Sequence, residues 1–321
     1  MSGGAHMNGL TRRHFVRALG AAGAASLLGW PGLARAGSAA SRVVVIGGGF
    51  GGASCARYLK RLAPELEVTL LEPSTRFITC PFSNAVLGGL YGMDFLTHGY
   101  EALRADHGVN VVHARAETID PAARTVTLAD GAALPWDRLV VAPGIDLQWG
   151  AIDGYDEAAS ATIPHAWKAG EQTALLRRQI EAMPDGGVVV MSAPRDPFRC
   201  PPGPYERASL IAHYLKQAKP RSKILLYDAK EAFSKQALFQ QGWQALYPGM
   251  IEWIPESQGG AIEGVDVANM TVHPTFGEPQ KADVINLIPP QQAGAIALTA
   301  GLANEGGWCP VNHRSFESLQ Q

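Results

Sequence analysis

The stretch from Arg42 to Gly52, Arg-Val-Val-Val-Ile-Gly-Gly-Gly-Phe-Gly-Gly, leaves the chain little freedom in how it folds. Four consecutive apolar residues, Val43 to Ile46, suit a strand buried on both faces. Gly47, Gly49 and Gly52, with Phe50 and Gly51 between them, then stand at the spacing of a dinucleotide-binding turn. Glycine is needed there because the backbone bends tightly, approaches a pyrophosphate and lets the following helix, expected over Ala53 to Leu62, pack on the strand. The helix N-terminus faces the anion. Val68 to Leu71 reads as a second strand ending at Glu72 and Pro73, where a carboxylate is placed to accept a hydrogen bond from a ribose hydroxyl.

At 321 residues the chain is long enough for about two domains. Its formal charge of −2 and the lack of a basic stripe exclude a nucleic-acid surface. The N-terminus carries Thr11-Arg12-Arg13-His14-Phe15-Val16, a weakly apolar stretch from Ala18 to Leu33, and Ala34-Arg35-Ala36 as a cleavage pattern. This resembles a twin-arginine export signal over residues 1–36 and predicts a periplasmic protein that took up its cofactor before export. Gly20, Gly23, Gly29 and Pro31 argue against a membrane anchor, so no membrane span is expected in the mature chain. The four cysteines of an exported chain allow three full disulfide pairings, which sequence does not separate.

A first domain is expected over residues 37–153. Cys80, just before Pro81 and soon after Glu72, lies on a loop that can cross the isoalloxazine end of an extended FAD or can bury a small apolar side chain. Val109 to Ala114 reads as a strand and Ala116 to Leu128 as a strand pair, a β-meander common in two-dinucleotide flavoproteins. Trp136 to Val141 then leads to the exit Ala142-Pro143-Gly144, which resembles a second flavin-contact segment.

A second domain is expected over residues 154–276. Ala166 to Met183 has helical spacing, and Val188 to Met191 reads as a short buried strand. A second glycine triad does not follow. The chain continues through Pro194, Pro197, Pro201, Pro202 and Pro204, which lack amide donors and obstruct phosphate approach, so no NAD(P) is expected. A helix over Tyr205 to Ala218 and a strand over Lys223 to Asp228 keep the outline of a nucleotide domain. Cys200, beside Arg199 at the start of that helix, reads as a redox cysteine favouring thiolate, or as a structural cysteine in a proline loop. Glu206 is a candidate proton shuttle, or simply a first-turn helix acid. Cys55 reads as packed core.

Thr79 to Gly89 and Phe198 to Ala208 together closely resemble the flavoprotein subunit of flavocytochrome c sulfide dehydrogenase, and so do Ala282 to Gln291 and Gly307 to Val311. The resemblance implies an α/β flavoprotein with two dinucleotide-binding-type domains. It also implies FAD joined to Cys80 through a thioether, Cys200 as one half of a redox disulfide, and a periplasmic c-type cytochrome as partner. The implied reaction takes sulfide to zero-valent sulfur. In the family the second redox cysteine lies after a C-terminal Gly-Asp motif that this sequence does not reach. Residues 277–321 are therefore expected to return to the FAD domain incompletely, and Cys309 is the only downstream candidate here to pair with Cys200. A sulfide:quinone oxidoreductase and a non-catalytic remnant that binds FAD or a cytochrome are the competing readings.

Overall fold

A computed structural model describes residues 40–320. The leader lies outside the described residues. Arg42–Ile46 pairs in parallel with Glu67–Leu71 on one side and Arg138–Val141 on the other, and Asn110–Val112 extends the sheet beyond Glu67–Leu71. Parallel neighbours need a crossover, and the helix Phe50–Leu62 supplies the first one. It begins three residues earlier than the sequence suggests.

Alternation along Arg42–Ile46 sends Val43 and Val45 to one core and Val44 and Ile46 to another. Ala56 of the helix packs on the first face, while Val126 and Leu128 cover the second. Val126 and Leu128 come from the expected β-meander, Ala116–Asp120, Thr125–Leu128 and Ala133–Pro135. Cys55 is half-buried rather than packed core, because the helix buries Gly52 and Ala56 instead.

The second half repeats this plan. Its sheet runs Ile251–Ile254, Lys223–Asp228, Val188–Ala193 and Val284–Asn286, all parallel. The helices Glu171–Ala182 and Gly203–Ala218 pack on Val189 and Met191. The other face buries Val190 against Val265 and Val272 of an antiparallel ribbon. The strand Val284–Asn286 shows that this sheet continues past residue 276. Its three residues are all buried, and a place beside Val188–Ala193 covers them. Return to the first half comes later, where Gln291–Ala293 pairs antiparallel with Ile145–Leu147 and Ile296 packs on the meander's core.

The helix expected from Ala166 begins only at Glu171. Ala166 and Gly170 have φ of 47° and 131°, outside helical geometry. Burial of Trp167 with Leu147, Phe198 and Ile288 overrides the helical periodicity. Gln172 Oε1 accepts from the amides of His165 and Ala166, and His165 Nδ1 accepts from the Trp167 amide.

Two neighbouring strands of the first sheet are tied at their starts. Asp137 Oδ2 accepts from the Arg42 amide at 2.7 Å, and Oδ1 accepts from the guanidinium at 3.1 Å. These bonds lower the Asp137 carboxyl from 3.8 to about 2. A depressed folded-state value means that the tie's contribution is intact above about pH 3.8 and is lost as pH falls through about 2. Urea midpoints measured across that window should fall less steeply for Asp137→Asn than for the parent chain.

Candidate functional site

Gly47 has φ of 96° and donates its amide to Leu71 O at 2.9 Å. A Cβ there would clash with the carbonyl of Ala142, so the turn touches the Ala142-Pro143-Gly144 exit expected to meet the flavin. A Cβ on Gly52 would clash with Gly47 O. Gly49 caps the helix Phe50–Leu62 without a side-chain hydrogen bond, which leaves the first-turn amides of a 13-residue helix to other acceptors. Glu72 Oε2 accepts from the Gly48 amide at 2.8 Å and Oε1 from Ser74 at 3.0 Å. A carboxylate has about four lone-pair sites, so capacity for a ribose hydroxyl remains. Pro73 is exposed beside it, and Phe50 is exposed with its ring edge-on to Phe77. These residues fit a dinucleotide pyrophosphate and ribose.

A second constellation forms where the two halves meet. Cys80, half-buried, donates from Sγ to Trp167 O at 3.4 Å, and Arg199 Nη2 reaches Sγ at 3.5 Å and also donates to Trp167 O. The Gly203 Cβ position lies 2.7 Å from Trp167 Cη2 and 3.2 Å from Cys200 Sγ, so the indole edge and this second sulfur face one point. Cys200 is exposed at φ of 60°, and the four cysteines are free thiols.

Electrostatics at Cys200 run against the thiolate expectation. Burial raises its thiol, Cys80 and Glu206 add to the rise, and the Gly203 amide and Arg199 pull only partly the other way. A cation beside a thiol does not win when the sulfur is partly desolvated and a carboxylate stands nearby. Cys309 is exposed and unpaired, with its own thiol raised by burial.

Glu206 Oε2 accepts from Asn84 Nδ2 at 2.7 Å, and Asn84 Oδ1 accepts from Arg207 Nε at 2.9 Å. Arg207 is 1% exposed. Its Nη1 donates to Asn286 Oδ1 and His165 O, and its Nη2 to Ala166 O. Those acceptors are all neutral, and burial lowers the guanidinium to about 10. His165 is lowered to about 3 by burial and then by Arg207, Lys168 and Arg199.

Sequence reasoning missed Trp167, Asn84, Arg207 and Asn286. A signal for Arg207 was present, since Pro204, Ala208, Ile211 and Leu215 define the buried stripe of its helix and Arg207 falls on that stripe. In the second sheet, Asp228 ends the strand that corresponds to Glu67–Leu71. Its carboxylate accepts from Tyr205 Oη at 2.6 Å, Lys230 Nζ at 2.6 Å and Trp253 Nε1 at 3.0 Å.

A family described as sulfide dehydrogenase [flavocytochrome c] flavoprotein chain, central, matches residues 173–289, and pyridine nucleotide-disulphide oxidoreductase matches residues 41–173. The sulfide dehydrogenase [flavocytochrome c] flavoprotein chain of Chlorobaculum thiosulfatiphilum is 71% identical over 45 residues, which is 14% of this chain and 94% of that one. The chain belongs to the flavocytochrome c sulfide dehydrogenase flavoprotein family. That membership implies a flavin. The sulfide-quinone reductase of Aquifex aeolicus is 31% identical over 187 residues, 58% of this chain and 42% of that one. A solved structure of the sulfide:quinone oxidoreductase from Aquifex aeolicus has a TM-score of 0.67 at 23% identity, covering 84% of this chain and 63% of that one. The covalent putidaredoxin reductase–putidaredoxin complex gives 0.66 at 17%, covering 88% and 71%. This chain thus spans less than two thirds of the Aquifex aeolicus relative, and the solved structures establish the two-dinucleotide-domain flavoprotein fold.

Gly52→Ala should abolish flavin retention through the clash with Gly47 O. Gly51→Ala, whose added carbon meets only Ala142 Cβ at 3.6 Å, should retain it. Visible flavin absorbance of the two purified variants checks the pair.

Proposed function

We propose that this chain is the sulfide-oxidising flavoprotein of a flavocytochrome c, acting in the periplasm with a c-type cytochrome as electron acceptor. The observation that carries the reading is the meeting of Cys80 and Cys200, from different halves, around Trp167 and Arg199. Gly47, Gly49, Phe50, Gly51, Gly52, Glu72 and Pro73 hold the adenosine and pyrophosphate of FAD, Ala142, Pro143 and Gly144 border it, and Cys80 carries the flavin end through a thioether. Bound there, FAD supplies the relay between a two-electron donor and one-electron carriers.

Chemistry at sulfur follows from exchange. Hydrosulfide attacks a disulfide that includes Cys200, forms a new S–S bond and expels one cysteine as thiolate. Cys200, which stands with Trp167 and Arg199, is assigned the persulfide, and its partner departs. That partner is Cys309 or a cysteine outside this sequence. Glu206, oriented by Asn84, takes the substrate proton. The Asp228 carboxylate, occupied by three protein donors, supports a function without NAD(P). The leader's arginine pair supports export. Among the described residues no helix is long and apolar enough to cross a membrane.

Delivery to quinone is the second reading, favoured by the likeness to the Aquifex aeolicus sulfide-quinone reductase. Quinone reduction at the rate of cytochrome reduction would move the assignment to it.

A denaturing gel of the purified chain should show a flavin-fluorescent band that Cys80→Ala lacks; a dark band from yellow protein would reject the thioether. Anaerobic sulfide should bleach the flavin in the parent chain. Cys200→Ser should slow bleaching by a factor of about a hundred or more, consistent with loss of a nucleophilic step, and unchanged bleaching would reject Cys200 as the sulfur-carrying residue.

A further inference from the structure

Three buried donors in the sulfur constellation have no hydrogen-bond partner among the described residues: Trp167 Nε1, Arg199 Nε and Gln291 Nε2. Trp167 and Gln291 are each 2% exposed. A buried polar group without a partner costs stability and calls for an explanation. The three belong to one cluster. Arg199 donates its amide to Gln291 Oε1 at 3.0 Å and its Nη2 to Trp167 O. The first of these bonds fixes which end of the Gln291 amide is oxygen, so the unpartnered end is the NH₂. All three unpartnered groups donate and none accepts.

The surroundings are cationic as well. Arg207 Cζ stands 5.0 Å over the Trp167 ring, is fully buried and binds only neutral acceptors. Glu206, whose charge acts on Cys200 and Arg207, already accepts from Asn84. Donors alone, in a positive field, beside two sulfurs, match a small electron-rich anion.

We propose that Trp167, Arg199 and Gln291 form a subsite for a sulfur anion, hydrosulfide or the terminal sulfur of a Cys200 persulfide, held by hydrogen bonds with Arg207 as the charge behind it. The inference rests on the sulfide-oxidising reading and adds where the substrate sits. Binding breaks no covalent bond; attack on the Cys200 sulfur of a disulfide, which forms the new S–S bond and expels the partner cysteine as thiolate, follows from the held position.

The test titrates sodium hydrosulfide anaerobically into the flavin-loaded chain carrying Cys200→Ser, read by calorimetry. One saturable site per chain is expected. Trp167→Phe deletes one N–H and should weaken binding about tenfold, as expected for a hydrogen bond to a charged group. Gln291→Glu keeps the oxygen that Arg199 needs and replaces the free donor by a negative charge, so it should weaken binding by more than about tenfold. Circular dichroism confirms folding; if Trp167→Phe does not fold, Gln291→Glu decides alone. Wild-type affinity in folded Gln291→Glu overturns the subsite, and so does the lack of a saturable site. If Gln291→Glu instead lowers flavin content while the loaded fraction binds hydrosulfide normally, the donors serve the flavin and the proposal falls. Bleaching of the Cys200→Ser flavin by sulfide at the parent chain's rate would reject the underlying function, a result distinct from any of these.

Discussion

The hydrogen bonding of Arg207 is the constraint on which the rest of the site depends. A guanidinium taken out of water must have its donors satisfied, and leaving a buried polar group unpartnered typically costs about 1–3 kcal/mol, more for a charged one. Its acceptors come from the short helix Ser83–Leu87 through Asn84, from the loop through the carbonyls of His165 and Ala166, and from the second sheet through Asn286. Asn286 in turn donates to the carbonyls of Pro164 and His165. One side chain thereby sets the helix that follows Cys80, the loop that carries Trp167 and the helix that follows Cys200. The cysteines stay close because their supports share a cation.

Much of the scaffold was legible in the sequence because its signals are local. The β-branched run ending in glycines, the Asp120-Pro121 turn of the meander and the strand Lys223–Asp228 each depend on residues adjacent in the chain. What failed depended on distant partners. Residues 166–170 have helical spacing, yet Trp167 is claimed by Leu147, Phe198 and Ile288, and the backbone leaves helical geometry to place it. Val284–Asn286 gives no local sign of which sheet it joins.

The sequence named residues that the fold brings together, and misjudged their electrostatics. Cys80, Cys200 and Glu206 stand in one constellation, but an adjacent Arg199 suggested a thiolate where desolvation and a neighbouring carboxylate favour the thiol. Sequence adjacency gives charge and no account of burial, and burial is the larger effect here.

Asp228 has a consequence for any attempt to give the second half a nicotinamide cofactor. The first half keeps its acid at the end of the corresponding strand bonded to backbone amides with capacity to spare, whereas Asp228 is completely buried and shared among Tyr205, Lys230 and Trp253. Installing glycines after Ala193 would open room for a phosphate but leave the Asp228 carboxylate completely buried and out of reach of a ribose. Freeing that acceptor would strip Tyr205 and Trp253 of their partner, and both pack on Phe233 in the aromatic core beneath the Cys200 helix. Exposing that acid would therefore require repacking the core as well as reshaping a loop.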